Sequence, residues 1–488
     1  MFVGKTMGWA LPVAALLAAC GGGGGGGTDA DGGGLAIPTW SQRIEPFEPK
    51  AATALKSAAQ TPAASPAVAS AAATRVIALA PLRRVTPRSA AAPGSMGVPR
   101  QIGTARDVPE TADVAGTAAL LQWQPTVRGT QVAALRFESP GARGVRLGVL
   151  VQALPPGAVL RFYGAAPEDA VQLSAEQLQA VAERNASSGA AERQARTYWS
   201  PDFGAAQTTL EVEIPAGAAP AAVRLAVPRL SHYTLSAADA EAAFTTKAAA
   251  GCMVDVSCHP DYLEQSRSVA RMLFVAEDGD AYYCTGTLLN DMASSGTPYF
   301  LSARHCITSQ TVASTLVTDW LYRSASCNST VENPASRRLT GGARLLYASA
   351  STDTAFMRLN DPAPAGIVYA GSYYGGVPIG TALASLHHPD GGLQSISLGS
   401  VLRYSNCGDE SCSATSGETG NYLALTWQQG STEGGSSGSG VFVAIGARRY
   451  LAGQLHGGSA SCARPDGTDY YGRFDLSYRA ALRQWLNP

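Results

Sequence analysis

Apolar and polar positions change texture several times along this 488-residue chain. Trp9 to Ala19 is one apolar run led by Lys5, too short to span a bilayer stably, and it reads as the core of a signal peptide over residues 1–20. Ala51 to Ala73 is rich in Ala, Ser and Pro, which assigns residues 21–110 to a low-complexity tether. From about Thr117 to Tyr233 the segments VAALRF, VRLGVLV, VLRFYG, TLEVEI and VRLAV alternate or run apolar between Pro and Gly breaks. That is the pattern of an antiparallel sandwich and places a β-sandwich-like unit at 111–247. One helix interrupts it between Ser174 and Ser187, where Leu178, Val181 and Ala182 share a face.

The remainder, 248–488, is richer in strand signals. CTGTLL from Cys284, Tyr299 to Ala303, Thr354 to Leu359 and Val441 to Ile445 are short apolar runs, and LSYRAALRQWL from Leu476 to Leu486 has the period of a closing helix. Length and composition suit two folded units. The formal net charge of −1 offers no electrostatic case for nucleic acid as a partner.

Three of these strands carry reactive residues at their ends. SARHC delivers His305 next to Cys306, DTAFMRL begins with Asp353, and GGSSGSG places Ser437 ahead of a buried strand, in the chain order His, Asp, Ser. Each alone has an ordinary reading. STEGGSSGSG has the composition of a flexible linker, a lone histidine is commonly just half-buried, and an acid at a strand start is commonly solvated. The bulky run after Ser437 favours a tight turn that exposes backbone N–H groups, and the apolar run after Asp353 draws its carboxylate inward, where it needs a partner such as an imidazole N–H. A bridge between Cys284 and Cys306 would pin two strands beside the imidazole.

With these motifs in place, the chain from about Gly251 onward resembles the bacterial lysyl endopeptidases among the trypsin-fold serine proteases. The match extends over CMVDVSC at 252–258, SARHC, HHP at 387–389, GSSGS at 435–439, GQLHGG at 453–458 and DYYGR at 469–473. The resemblance implies an all-β, trypsin-like double β-barrel with a C-terminal helix, preceded by a β-sandwich-like prodomain. It implies a serine endopeptidase made as a precursor, with Ser437 as nucleophile, His305 as general base and Asp353 as its orienting acid. Gly435 and Ser437 would supply the oxyanion N–H groups, and no metal or organic cofactor is required. Ordinary trypsins carry their specificity acid six residues before the nucleophile, which here is Ser431. In the resembling family that charge maps onto Asp469, with His456 and Gly457 also lining the substrate pocket. A buried acid in a narrow slot favours the lysine ammonium over a guanidinium. Surface-loop roles for Asp469 and His456 are the bland alternative.

The family stacks a tryptophan over this histidine from a loop ahead of the nucleophile strand. Asn406 to Asn421 contains no tryptophan and carries Cys407 and Cys412 instead, which leaves open whether Tyr404 or another side chain substitutes. Trp427 reads as core packing.

Eight of the nine cysteines lie between Cys252 and Cys462, an even set that indicates disulfides and an oxidising compartment. The resemblance suggests Cys252–Cys462, Cys258–Cys327 and Cys284–Cys306, with Cys407 and Cys412 left to close a short loop. Zinc is the weaker alternative, since paired CxxC knuckles are lacking. The odd cysteine ends LAAC, which looks like a bacterial lipobox with Cys20 as the lipidated residue; the alternative is a plain signal peptide. Membrane association would then come only through that lipid anchor on the precursor.

The region after Ala248 contains no lysine, a composition that protects a lysine-cutting enzyme from itself, although the chain favours arginine throughout. Lys247 stands just ahead of the family-like block, so the expected maturation cut is Lys247–Ala248. The expected product is an extracellular, monomeric protease acting on polypeptides with lysine at the cut site, its prodomain serving as intramolecular inhibitor or folding aid. Arginine-and-lysine specificity, and a catalytically idle surface binding lipoprotein, are the rival readings.

Overall fold

Leu135 and Phe137 of Gln131–Glu138 and Leu210, Val212 and Ile214 of Gln207–Ile214 recur at every second position and enter one interior, and the two strands pair antiparallel over their full length. The computed structural model describes residues 41–49, 74–82, 99–249, 251–408 and 411–488. The signal-peptide segment with Cys20 and residues 51–73 of the expected tether lie outside that set.

In the N-terminal half, one sheet joins Thr74–Ala78, Gln131–Glu138, Gln207–Ile214, Val159–Tyr163 and Val171–Ser174. The facing strands are Arg100–Asp107, Arg224–Tyr233, Gly144–Ala153 and Thr197–Trp199. Phe137, Leu147, Val149, Phe162, Val212 and Leu225 fill the space between. Each such side chain contributes about 1.5–3 kcal/mol when fully buried. The interposed helix is Ala175–Ser187, started by a capping box in which Ser174 and Gln177 satisfy each other's backbone N–H.

The expected tether at 21–110 is a correction. Arg43–Ile44, Thr74–Ala78 and Arg100–Asp107 are strands whose partners, at Ser372–Tyr373, Ala134–Glu138 and Ala281–Tyr283 together with Arg229–Tyr233, are all distant in sequence. Local composition carries no trace of such pairings.

The catalytic half is a trypsin-type double barrel. Arg448–Gly458, Gly440–Ile445, Ala382–His387, Ser395–Cys407, Tyr422–Gln429 and Thr468–Arg473 form a ring that closes when the last strand pairs with the first. The other barrel is built from Val269–Val275, Ala281–Leu289, Tyr299–Ala303, Thr354–Leu359 and Ala343–Ser349, with Val317–Trp320 at its side. Leu301, Phe356, Leu386 and Phe442 pack in the seam between barrels, together with Tyr478, Leu482 and Leu486 of the closing helix. That helix runs through Phe474–Ser477, a π turn at Tyr478–Leu482 and Arg483–Leu486. The disulfides are Cys252–Cys462, Cys258–Cys327, Cys284–Cys306 and Cys407–Cys412.

The two halves share a sheet. Ala281–Leu289 pairs with Arg100–Asp107 through Ala281–Tyr283 and with Tyr299–Ala303 through Thr287–Leu289. Arg146 crosses the junction and donates to the carbonyl of Thr315 at 2.9 Å.

On the face of the Val269–Val275 barrel that is turned toward the N-terminal half, Asp319 is buried between Arg271 and Arg338, at 2.8 and 2.7 Å. Burial alone would raise its pKa, but Arg338 and Arg271 outweigh that and hold it well below the usual carboxylate range. Stability from such a group is complete above the unfolded carboxylate pKa and is lost as pH falls. Asp319→Asn is expected to lose about 3–5 kcal/mol at pH 7, because the buried Arg271 loses its carboxylate and Arg338 keeps only Asp202, at 3.3 Å. In urea titrations the deficit against the parent should shrink below about pH 4.

Candidate active site

Asp353 sits one residue ahead of the strand Thr354–Leu359, in a left-handed conformation with φ of 49°. Such a backbone is costly for a non-glycine residue, and the surroundings hold it there. Gln454 of the second barrel donates to the carbonyl of Thr352 at 2.7 Å, and Ser477 of the closing helix bonds both Thr352 and Thr354 hydroxyls at 2.8 Å. The carboxylate is 6% exposed. Its Oδ1 accepts from the backbone N–H of His305 at 2.9 Å and its Oδ2 meets His305 Nδ1 at 2.6 Å. The same Oδ2 also meets His456 Nδ1 at 2.7 Å. Burial would raise this acid too, yet the two imidazoles hold it well below the usual range. An ionised carboxylate only accepts, so both Nδ1 atoms carry hydrogen.

Ser437 lies on the turn before Gly440–Ile445 and is 5% exposed. Thr285, next to Cys284, holds this turn twice: its N–H donates to the Ser437 carbonyl at 2.8 Å and its hydroxyl to the Gly435 carbonyl at 2.9 Å. His387 Nδ1 bonds the Ser436 hydroxyl at 2.8 Å. Gly438, with φ of 79°, lies so close to Ser302 and Ala303 that any Cβ there would collide with the Ser302 hydroxyl. The nucleophile turn is thereby pressed against the strand that delivers His305. Among the described residues no backbone or side-chain acceptor takes the N–H of Gly435 or Ser437, and none joins the Ser437 hydroxyl to His305. His305 Nε2 lies 3.6 Å from Cys306 Sγ instead. No hydrogen bond among the described residues therefore joins the serine to the imidazole.

Asp469 is fully buried on Thr468–Arg473. Its Oδ2 accepts from Trp427 Nε1 and from the Thr432 hydroxyl, both at 2.7 Å. Its Oδ1 has no partner among the described residues. Gly458 faces it, and a Cβ at that position would collide with Oδ1. The Gly458 backbone thus packs directly against this buried oxygen. Burial pushes this carboxyl up to about 6, against the pull of the Thr432 and Trp427 hydrogen bonds. Ser431, the position of the usual trypsin acid, is buried with its hydroxyl unpartnered. Gly457 adjoins a register shift at His456 that breaks the even pairing of Arg448–Gly458 with Thr468–Arg473.

Several roles escaped sequence reading. Trp427 is a donor to the pocket acid as well as a packed ring. Tyr422, the first residue of its strand, packs on His456 with ring centroids 5.2 Å apart, while Tyr404 donates elsewhere, to Val377. The HHP motif puts His387 under the nucleophile turn. Burial pushes the imidazoles of His387 and His388 down to about 3, so both are neutral at physiological pH.

Lys247, in the last turn of Ala237–Ala249, places its ammonium 2.5 Å from Asp390 and 3.1 Å from Glu433. Two clusters bring three metal-ligand atoms within 4.8 Å of one another, His305 with Asp353 and His456, and His305 with Cys284 and Cys306. In the first the ligand atoms are hydrogen-bonded to each other, and in the second both sulfurs are spent on a disulfide.

Comparison with known proteins matches residues 246–472 to the family model described as lysyl endopeptidase, C-terminal domain, and residues 55–234 to the lysyl endopeptidase N-terminal domain. A lysyl endopeptidase of Pseudomonas aeruginosa is 32% identical over 381 residues, covering 74% of this chain and 77% of that protein. Among solved structures, the active form of the Rv3671c protease of M. tuberculosis aligns at 14% identity and a TM-score of 0.33, over 48% of this chain and 88% of its own. A variant of the HtrA-type protease AlgW with a tripeptide aligns at 14% identity and 0.31, over 46% and 62%.

Because Asp469 is easier to protonate in the fold than unfolded, the native state loses stability as pH rises from about 4 to about 6. Asp469→Asn should therefore unfold about 2–3 kcal/mol less readily than the parent above pH 6. Denaturant titrations at pH 8 and pH 4 should show that gain at the first and not at the second.

Proposed function

The chain belongs to the lysyl endopeptidase family and is a serine endopeptidase, and from that premise we propose that it cuts polypeptides after lysine by a Ser437–His305–Asp353 mechanism. The observation that carries the lysine reading is Asp469. Two donors occupy one of its oxygens, and the other is buried, unpartnered and faced by Gly458. A single free oxygen suits a point-like ammonium and cannot make the paired contacts that a planar guanidinium prefers. Entry of a lysine side chain would supply the counter-charge that this buried acid lacks, which ties binding energy to that one residue type.

In the reaction, Ser437 Oγ turns to His305 Nε2 and attacks the scissile carbonyl while the imidazole takes its proton; catalytic hydrogen bonds commonly tighten only in the substrate complex. Asp353 stabilises the imidazolium through Nδ1 and is itself fixed by His456. The free N–H groups of Gly435 and Ser437 receive the oxyanion, a contribution of about 3 kcal/mol per donor. His305 then protonates the leaving amine, and water repeats the cycle on the acyl-enzyme.

The reading extends to biogenesis: export by the N-terminal segment, lipid attachment at Cys20, and maturation between Lys247 and Ala248. The N-terminal domain would act as inhibitor or folding aid until it is removed.

Fluorophosphonate should label the processed protein at Ser437, and Ser437→Ala should lose both the label and activity, by on the order of 10⁴-fold or more. In a mixed peptide library the cuts should follow lysine, and Asp469→Asn should lower lysyl cleavage by about a hundredfold or more. Cuts spread equally over lysine and arginine would refute the specificity. N-terminal sequencing of the active form should begin at Ala248.

A further inference from the structure

Two carboxylates flank the turn leading into Gly435 and belong to neither the triad nor the lysine pocket. Asp390 is left-handed, with φ of 52°, and its N–H holds the Gly434 carbonyl at 2.6 Å. Glu433 accepts from the Cys462 N–H at 3.1 Å. Both side chains converge on one ammonium, that of Lys247, at 2.5 and 3.1 Å, and Arg100 Nε stands 3.5 Å from the other oxygen of Asp390. Both cations come from the chain upstream of Ala248. Among the described residues no cation of the catalytic half pairs with either acid.

Arg100 also opens a strand. It lies over Gly434, its Cα, Cβ and Cδ all within 3.8 Å of where a Cβ on that glycine would be. From there the chain pairs antiparallel with the barrel, Arg100 opposite Tyr283, Gln101 opposite Tyr282 and Gly103 opposite Ala281. Tyr283 adjoins Cys284, whose disulfide partner Cys306 follows His305. An extended peptide bearing a basic side chain thus starts beside the catalytic turn and runs away from it in the N-to-C direction. That is the course a substrate takes on the leaving-group side of its cut bond.

We propose that the edge Ala281–Tyr283, with Asp390 and Glu433, is a binding surface for the leaving-group side of substrates, selective for lysine or arginine within the first few residues after the cut. The uncut chain keeps this surface filled with its own strand, Arg100 and Lys247. When the bond after Lys247 is broken and the N-terminal part departs, the two carboxylates lose both side-chain cations that pair with them; the cut also leaves an α-ammonium on Ala248, and a basic side chain on an extended peptide joins it in replacing them. The proposal rests on the endopeptidase reading above for its substrate but not for its binding geometry.

The test separates the two. The full chain is cut after Lys247, by itself or by an added lysine-specific protease, to which the catalytic half offers no lysine. The N-terminal part is then removed in high salt. Fluorescence anisotropy is measured with a labelled peptide of residues 99–107 and its R100A version. The parent peptide should bind about threefold or more tighter than R100A. That difference should vanish in Asp390→Asn, a change the left-handed backbone tolerates, and shrink in Glu433→Gln. In kinetics, lysyl peptides with arginine two residues past the cut should be preferred over those with glutamate, and the preference should fall in both variants. Equal affinity of the two peptides, or a difference that survives Asp390→Asn, overturns the proposal. Arginine-dependent binding without cleavage of any lysyl peptide would uphold this surface and sink the endopeptidase mechanism; charge-blind binding with intact cleavage would do the reverse.

Discussion

One carboxylate at the seam of two barrels joins the parts of this site. Asp353 stands at the start of a strand of the first barrel, yet its conformation is clamped by Gln454 of the second barrel and Ser477 of the closing helix. Its two oxygens bind the backbone and ring of His305 and the ring of His456. The left-handed backbone at this acid persists only because both barrels and the helix hold it. Seam packing by Leu301, Phe356, Leu386 and Phe442 is therefore a condition of the chemistry, since it fixes the distance between the histidine side and the serine side.

Asp353 and Asp469 show how burial alone leaves the role of an acid undecided. Both are shielded from water. Asp353 has imidazole N–H groups on its acceptor oxygen and is held ionised; Asp469 has only neutral donors, from Thr432, Trp427 and the Ala460 backbone, so burial prevails and lifts its pKa to about 6. The first arrangement is complete and suits a group that must orient a base. The second lacks a counter-charge, and burial therefore favours protonation of the group.

The N-terminal domain is built into the catalytic half by more than a linker. Its strand Arg100–Asp107 extends the sheet of the first barrel on the edge where the histidine-bearing strand also pairs, and its Arg146 reaches a barrel carbonyl. Asp390 and Glu433 show the same dependence in electrostatic form, since the cations they hold are all supplied by the upstream chain. The turn that carries Ser437 is formed and held by Thr285, while no hydrogen bond among the described residues joins Ser437 to His305.

Much of this was legible along the chain. His305, Asp353 and Ser437 each end or begin an apolar run, so local pattern sufficed to place them at strand termini, and the cysteine set pointed to disulfides before any pairing was known. The helix at 174–187 announced itself through the shared face of Leu178, Val181 and Ala182. The strands at 43–44, 74–78 and 100–107 did not, because each is ordered by a partner far away in sequence. The same limit hid Trp427 as the donor to Asp469, Tyr422 as the ring on His456, Gly458 as the close backbone neighbour of Asp469 and His387 as the support of the turn at Ser436. Residue order by itself determined which chemical groups exist and which short stretches are apolar enough to be buried. Tertiary structure alone decided which groups meet, because hydrogen bonds and counter-charges act over a few ångströms while the residues that make them lie tens to hundreds of positions apart.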